Sequence, residues 1–305
     1  MTCVGSSSFT EPSIFFTVAA HVPDRRNCEV LAATLRSIRC YHGGDAVTLV
    51  VDNASPSALP DMSPMRVVTV RESLSRGQLG AWAVADAVLR ESRYASIQTV
   101  VLLQHSTALA APVRLPHPCR AAALSTLVSR GSGASWMSAE DNGMRWAAAV
   151  AASLRFACDA PCTSSSSASH PFGWAAAAHG VLALSWPAWR ELGALRLWPR
   201  NTQPATKALT PLWRSEPCAH GGIKDKLPCL GNESLRLHII NGGLEKLAGI
   251  LLAHLNGHVP FADCYIEGGV SKVHGGTFRA AAWHESVSKQ QQGESERSDP
   301  ACSTK

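Results

Sequence analysis

Two residues able to do polar chemistry stand where apolar runs stop: His21 closes the run 14–20 (IFFTVAA) and Asp52 closes 46–51 (AVTLVV). Open α/β sheets bind ligands beyond the carboxyl ends of their parallel strands, so both positions are candidate ligand contacts. A carboxylate at Asp52 accepts hydrogen bonds from N–H and hydroxyl groups, and Ser55 can cap the turn behind it. The same Asp52-Asn53 followed by Ser55 and Pro56 is also a good turn sequence in its own right. Carboxylates able to take a proton from an attacking hydroxyl are few in the second half: Glu140 and Asp141 in SAEDNG, and Glu245 at the start of NGGLEKLAGILLAHL. In that helix Leu244, Leu247, Leu251 and Leu255 form the buried stripe, which puts Glu245 with Ala248, Gly249 and Leu252 on a neighbouring face. An acid in a first turn is also favoured by the helix dipole, so Glu245 can equally be a plain N-terminal charge.

Other chemistries lack their motifs. His-Gly-Gly occurs at 42–44, 220–222 and 274–276, but no GxSxG elbow accompanies these turns, which argues against a serine hydrolase. The chain has no GxxxxGK[ST], no GxGxxG after its first strand and no HExxH, so a P-loop nucleotidase, a dinucleotide oxidoreductase and a zincin are set aside. The His-Val-Pro-Asp turn at 21–24 likewise lacks the glycines a Rossmann-like methyltransferase would need.

The elements that must position these residues follow from periodicity. SIFFTVAAH reads as a strand and NCEVLAATLRSI as a helix, with Val30, Leu31, Leu35 and Ile38 at helical spacing. AVTLVVDN and MRVVTVR are strands flanking the turn-rich ASPSALPD; residues 77–92 form a helix, and SIQTVVLLQHS is a fourth strand. Continuous apolar runs separated by helices indicate a mostly parallel sheet covered on both faces. Beyond residue 112 Pro-, Gly- and Ser-rich stretches mark loops, with a strand in FGWAAAAHGVLALS leading into a helix begun by Trp186 and Pro187. Without a linker or repeat, residues 13–284 form one domain with halves at 13–110 and 111–284; polar residues 1–12 and 285–305 are expected to be disordered.

Length and charge narrow the partners. The 305 residues suit one full α/β domain, and a formal charge of +5 without like-charge runs points to an anionic small molecule rather than nucleic acid. No segment reaches eighteen apolar residues, so no membrane span is expected, and the run 14–20 lacks the basic lead-in of a signal peptide. The ten cysteines show no CxxC spacing; in a chain that needs no staples, reduced and buried thiols are preferred, which tilts an open compartment assignment towards the cytoplasm.

Three segments in order resemble the GT-A fold of nucleotide-sugar-dependent glycosyltransferases of the family 2 type. FFTVAAHVPDRRNCEVLAATLRSI is similar to the opening strand and "l..tL.Si" helix of inverting transferases, VVDNAS to their "vDdgS" turn, and the helix with Gly77, Gln78, Gly80 and Ala81 to the helix beside the sugar nucleotide. Together they cover about a third of the chain, residues 13–110. The resemblance implies a Rossmann-like GT-A fold, an α/β architecture with a mostly parallel central sheet and helices on both faces. It implies an inverting transfer of a sugar from a nucleoside-diphosphate donor to a glycan or other hydroxyl acceptor. His21, Asp52, Arg76, Gln78, His105 and His274 would then bind the donor, with Asp52 on uracil N–H or a ribose hydroxyl.

The fourth strand departs from that pattern. Metal-dependent members carry paired acids there for Mg²⁺ or Mn²⁺, because carboxylate oxygens hold the ion that neutralises the diphosphate; this chain has Leu103-Gln104-His105-Ser106-Thr107. Either His105 ligates a transition ion or bonds the diphosphate, or Arg71, Arg76, Lys272, His274 and Arg279 neutralise it without metal, or catalysis is lost and the protein is a binding module or partner of an active transferase. SKVHGGTFR at 271–279 suits a closing loop. By the same resemblance Glu245, in a segment similar to "ErllG", is the preferred base and Asp141 the second candidate, while Phe172 and Trp174, similar to a "GcFG" approach, would stack on the acceptor.

Overall fold

A computed structural model describes residues 11–61, 67–72, 77–124, 181–194, 244, 247–249, 251–252, 254–257, 259, 261–266 and 268–272. It contains a six-stranded mixed sheet with helices packed against it, in the order β3-β2-β1-β4-β7-β6, and a two-stranded sheet of β5 and β8. The strands are β1 (Ile14–Ala20), β2 (Ala46–Asn53), β3 (Val67–Glu72), β4 (Thr99–Gln104), β5 (Thr107–Leu109), β6 (Ala121–Ala123), β7 (Leu182–Ser185) and β8 (Val270–Lys272). The β1–β2, β2–β3 and β1–β4 pairs are parallel; β7 runs antiparallel to both β4 and β6. This is the α/β, mostly parallel arrangement expected from the continuous apolar runs.

Alternate residues of the central strands feed two cores. Phe16, Val18 and Ala20 meet Leu31, Leu35 and Ile38 of α1 (Arg25–His42), while Phe15 and Ala19 face α2 (Gly77–Val88) and α3 (Trp186–Ala194). Leu244, Leu247, Leu251 and Leu255, the stripe expected from sequence, are all buried in the second of these cores. Asp24 caps α1 by accepting from the Asn27 amide at 2.8 Å, and Gly43, at φ 50°, ends the helix with its N–H on the Arg39 carbonyl. Helix α2 is shorter than the 77–92 window, because its last turn tightens: Arg90 N–H bonds Ala87 O and Glu91 N–H bonds Val88 O, one residue closer than an α-helical pair.

The expectation of reduced thiols is overturned. Cys119 and Cys264 form a disulfide across 145 residues, with Cα atoms 5.6 Å apart, and Cys28 and Cys40 of α1 are disulfide-bonded as well. Ile266 and Val270 pack against the core beneath α1. Besides the disulfide, Ile266 N–H bonds Ala123 O and Ala110 N–H bonds Gly269 O. Among the described residues no cysteine is free, and no helix is long and apolar enough to cross a membrane. Of the segments expected to be disordered, only Glu11 and Pro12 fall within the described residues; the Pro12 carbonyl accepts from Ser96 Oγ at 2.9 Å.

One buried ring makes stability depend on pH. His42 packs against Phe16 at 5.1 Å and its Nε2 accepts the Val113 amide at 3.0 Å, which requires an unprotonated Nε2. Burial lowers its pKa from 6.5 to about 4, opposed by Asp45 and assisted by Arg114. Between those values the unfolded chain binds the extra proton, so the contribution is present above pH 6.5 and lost as pH falls to about 4. Chemical denaturation should show His42→Gln losing up to about 3 kcal/mol less than wild type across that window. Cys119→Ser should cost about 2–5 kcal/mol by the same measurement without changing the helix content seen by circular dichroism.

Candidate functional site

The strand order turns back at β1: the chain adds β2 and β3 on one side of it and β4 on the other. At such a switch point the two outgoing connections diverge and leave a crevice beyond the carboxyl ends. Register fixes what lies there. Ala20 pairs with Asp52 and Ala19 with Gln104, so His21, Asn53 and His105 leave the sheet on adjacent strands. Three positions singled out from sequence, His21, Asp52 and His105, therefore share one sheet edge.

His21 is exposed, and its Nδ1 donates to the Asn53 carbonyl at 2.9 Å. A carbonyl only accepts, so the Nδ1 proton is fixed and a neutral ring presents Nε2 as an acceptor. Asp52 is 1% exposed. Its Oδ1 accepts the Ser55 amide at 2.9 Å and its Oδ2 lies 3.5 Å from Arg71 Nε, while Arg71 also donates to the Ser55 carbonyl at 2.7 Å. Ser55 Oγ in turn accepts the Val22 amide at 2.8 Å. The acid expected to hold a nucleoside thus organises the turn that follows β2, in which Ala54 adopts φ 54°.

Gln104 at the end of β4 donates to Gln78 Oε1 at 3.0 Å, which ties α2 to the same edge. His105 is the most firmly held group. Its amide donates to Ala19 O at 2.9 Å, its carbonyl accepts from Thr34 Oγ1 at 2.6 Å, and its Nε2 lies 3.4 Å from Asn27 Oδ1. Asn27 also donates through Nδ2 to Asp24 Oδ1 at 2.9 Å. The two bonds from Asn27 hold the Asp24 carboxyl below its usual range. Sequence reasoning passed over the neighbours of His105, Asn27 and through it Asp24; the Asp-x-x-Asn spacing after Pro23 signals a helix cap, and nothing in it points to a histidine 78 positions further on.

Strand β8 reaches the same place by backbone. Lys272, the last residue of β8, pairs with Thr107, two residues past His105. Arg76, Asp141, Phe172, Trp174, Glu245 and His274, with Glu140 and Arg279, lie outside the described residues. Among the described residues no three His, Cys, Asp or Glu side chains group to hold a metal ion. Gln104, His105 and Ser106 include no carboxylate, the oxygen donor by which hard ions such as Mg²⁺ are usually held. No protein-family model matches the chain, and no curated protein matches it by sequence.

Removing the Asp52 carboxylate leaves the buried Ser55 amide without its acceptor. Asp52→Ala should therefore lower unfolding free energy by about 1–3 kcal/mol in denaturant titration, with little of that loss coming from the exposed Arg71 pair.

Proposed function

We propose that this chain is a GT-A-type glycosyltransferase, which moves a sugar from a nucleoside-diphosphate donor to a hydroxyl acceptor with inversion. The observation that carries the reading is the meeting of His21, the Asp52–Ser55 turn, Gln78 and His105 at the carboxyl edge where the strand order turns back, with the Lys272 backbone alongside. An open parallel sheet uses that edge for nucleotides. On this reading the nucleoside lies over the ends of β1 and β2, against His21 and the turn that Asp52 shapes. The diphosphate lies at the end of β4, against His105, with Arg76 and His274 as further donor contacts. A carboxylate, Glu245 ahead of Asp141, takes the acceptor proton as the hydroxyl oxygen attacks the anomeric carbon and the bond to the diphosphate breaks. Phe172 and Trp174 are assigned to the acceptor.

Disulfides persist in oxidising surroundings, so Cys119–Cys264 supports a lumenal or extracellular setting rather than the cytoplasm. A second reading, a non-catalytic sugar-nucleotide or glycan binding protein, is favoured by one feature: the Asp52 carboxylate is committed to its own turn and no acid pair stands at the end of β4.

Thermal denaturation with a panel of nucleoside diphosphates and sugar nucleotides, in Mn²⁺ and in EDTA, tests both. A bound nucleotide at a hundred times its Kd adds about 2.7 kcal/mol and should raise Tm by roughly 5 °C. Stabilisation with sugar release to water or to an acceptor identifies the enzyme; stabilisation without turnover identifies a sugar-nucleotide binding protein; no stabilisation by any nucleotide removes both of these and leaves only the glycan-binding form of the second reading.

A further inference from the structure

Helix α1 carries two of the ten cysteines, Cys28 and Cys40, and both are disulfide-bonded. They cannot be bonded to each other. They stand twelve residues apart in one continuous helix, which rises about 1.5 Å per residue and so separates their Cα atoms by about 18 Å. A disulfide needs Cα atoms roughly 4.4–6.8 Å apart, as between Cys119 and Cys264 at 5.6 Å. Those two are already joined, and each sulfur makes one such bond. What remains is Cys3, Cys158, Cys162, Cys218, Cys229 and Cys302.

The two bonds leave α1 in different directions. At about 100° per residue, the twelve residues turn the second cysteine by about 120° from the first. Cys28 is buried with Leu31, Leu35 and Ile38 on the stripe that packs on the sheet, whereas Cys40 is half-buried in the last turn. Cys28 lies at the end of α1 that adjoins the candidate edge, one residue from Asn27, whose Oδ1 is 3.4 Å from His105 Nε2. Cys40 lies at the other end, next to Tyr41, whose hydroxyl donates to Ala110 O at 2.6 Å. Apolar burial secures the middle of the helix, and sulfur secures both of its ends.

We propose that α1 is covalently anchored at both ends, by disulfides to two different cysteines of that remaining set, so that the chain holds at least three disulfides and loses stability on reduction. Each bond forms by exchange with a disulfide oxidant. Two thiols of the chain become one S–S bond, and the oxidant leaves as a dithiol carrying the two protons and two electrons. Neither bond depends on what the chain binds, so the glycosyltransferase reading is untouched by either result below.

Non-reducing peptide mapping of the full chain tests it, with free thiols blocked by N-ethylmaleimide at acid pH before digestion with trypsin. Cleavage after Arg26, Arg36, Arg39 and Arg66 places Cys28 and Cys40 on separate peptides, 27–36 and 40–66, each with a single cysteine. Each peptide should appear cross-linked to one that carries a member of the remaining set, and dithiothreitol should release both. Cys28→Ala and Cys40→Ala should each expose one new thiol, at two different positions of that set. In a Cys119→Ser, Cys264→Ser background, complete reduction should still lower Tm by roughly 5–15 °C.

A bond between peptides 27–36 and 40–66, a blocked thiol at Cys28 or Cys40, a bond from either to Cys119 or Cys264, or a covalent dimer on a non-reducing gel would overturn the inference. An unchanged Tm on complete reduction of the serine background would do the same. Where a substituted chain fails to fold, the wild-type map still decides.

Discussion

Strand β1 has no water on either face and a neighbour on each side, so its peptide groups can be satisfied only by β2 and β4. That requirement fixes the parallel registers, Ala20 against Asp52 and Ala19 against Gln104, and the registers decide which residues leave the sheet together. Helix α1 is then held by burial of Leu31, Leu35 and Ile38 on one face of the strand, and α2 by Leu79, Ala81 and Trp82 on the other. Because β1 is the centre of both cores, the polar edge inherits the rigidity of the apolar interior. His21 and His105 each sit one residue beyond the last residue of a buried central strand.

The turns at the polar edge are in turn fastened largely by interactions between a side chain and a backbone group. Asp52 on Ser55, Ser55 on Val22, Arg71 on the Ser55 carbonyl and His21 on the Asn53 carbonyl fasten the exits of β1, β2 and β3 to one another. Loops carry function when a rigid scaffold places them, and here the scaffold extends into the loops themselves. Asp52 is part of that lattice, through the Ser55 amide and Arg71.

Much of this was legible in the residues because the signals are long. Seven- and eight-residue runs such as Ile14–Ala20 and Ala46–Asn53 have no other stable home than a strand buried on both faces, and Trp186-Pro187 starts α3 where proline tolerates a first turn. The short elements were not legible. Ala121–Ala123 has no alternation and no β-branched residue, and three residues of β5 or β8 are below the length at which periodicity speaks. Cysteine connectivity is likewise invisible in spacing, since the Cys119–Cys264 pair is made by tertiary contact rather than by a motif. The Asp24–Asn27–His105 contacts escaped for the same reason: each residue has a sufficient local explanation, and only the docking of α1 on β5 and the residues just before it joins them.

The distance along the chain between Cys119 and Cys264 also bears on how the protein is made. The strands from Ile14 to Gln104 form a contiguous block that leaves the ribosome before either cysteine of this pair, whereas β8 follows Cys264 by a few residues. At about 5–20 residues per second, the separation of 145 residues between the two cysteines corresponds to roughly 7–30 s of synthesis, during which the final partner of Cys119 does not yet exist. Translation therefore imposes an order: the switch-point crevice can be laid down early, and the strand that borders it is fastened last, by whatever oxidant meets the nascent chain.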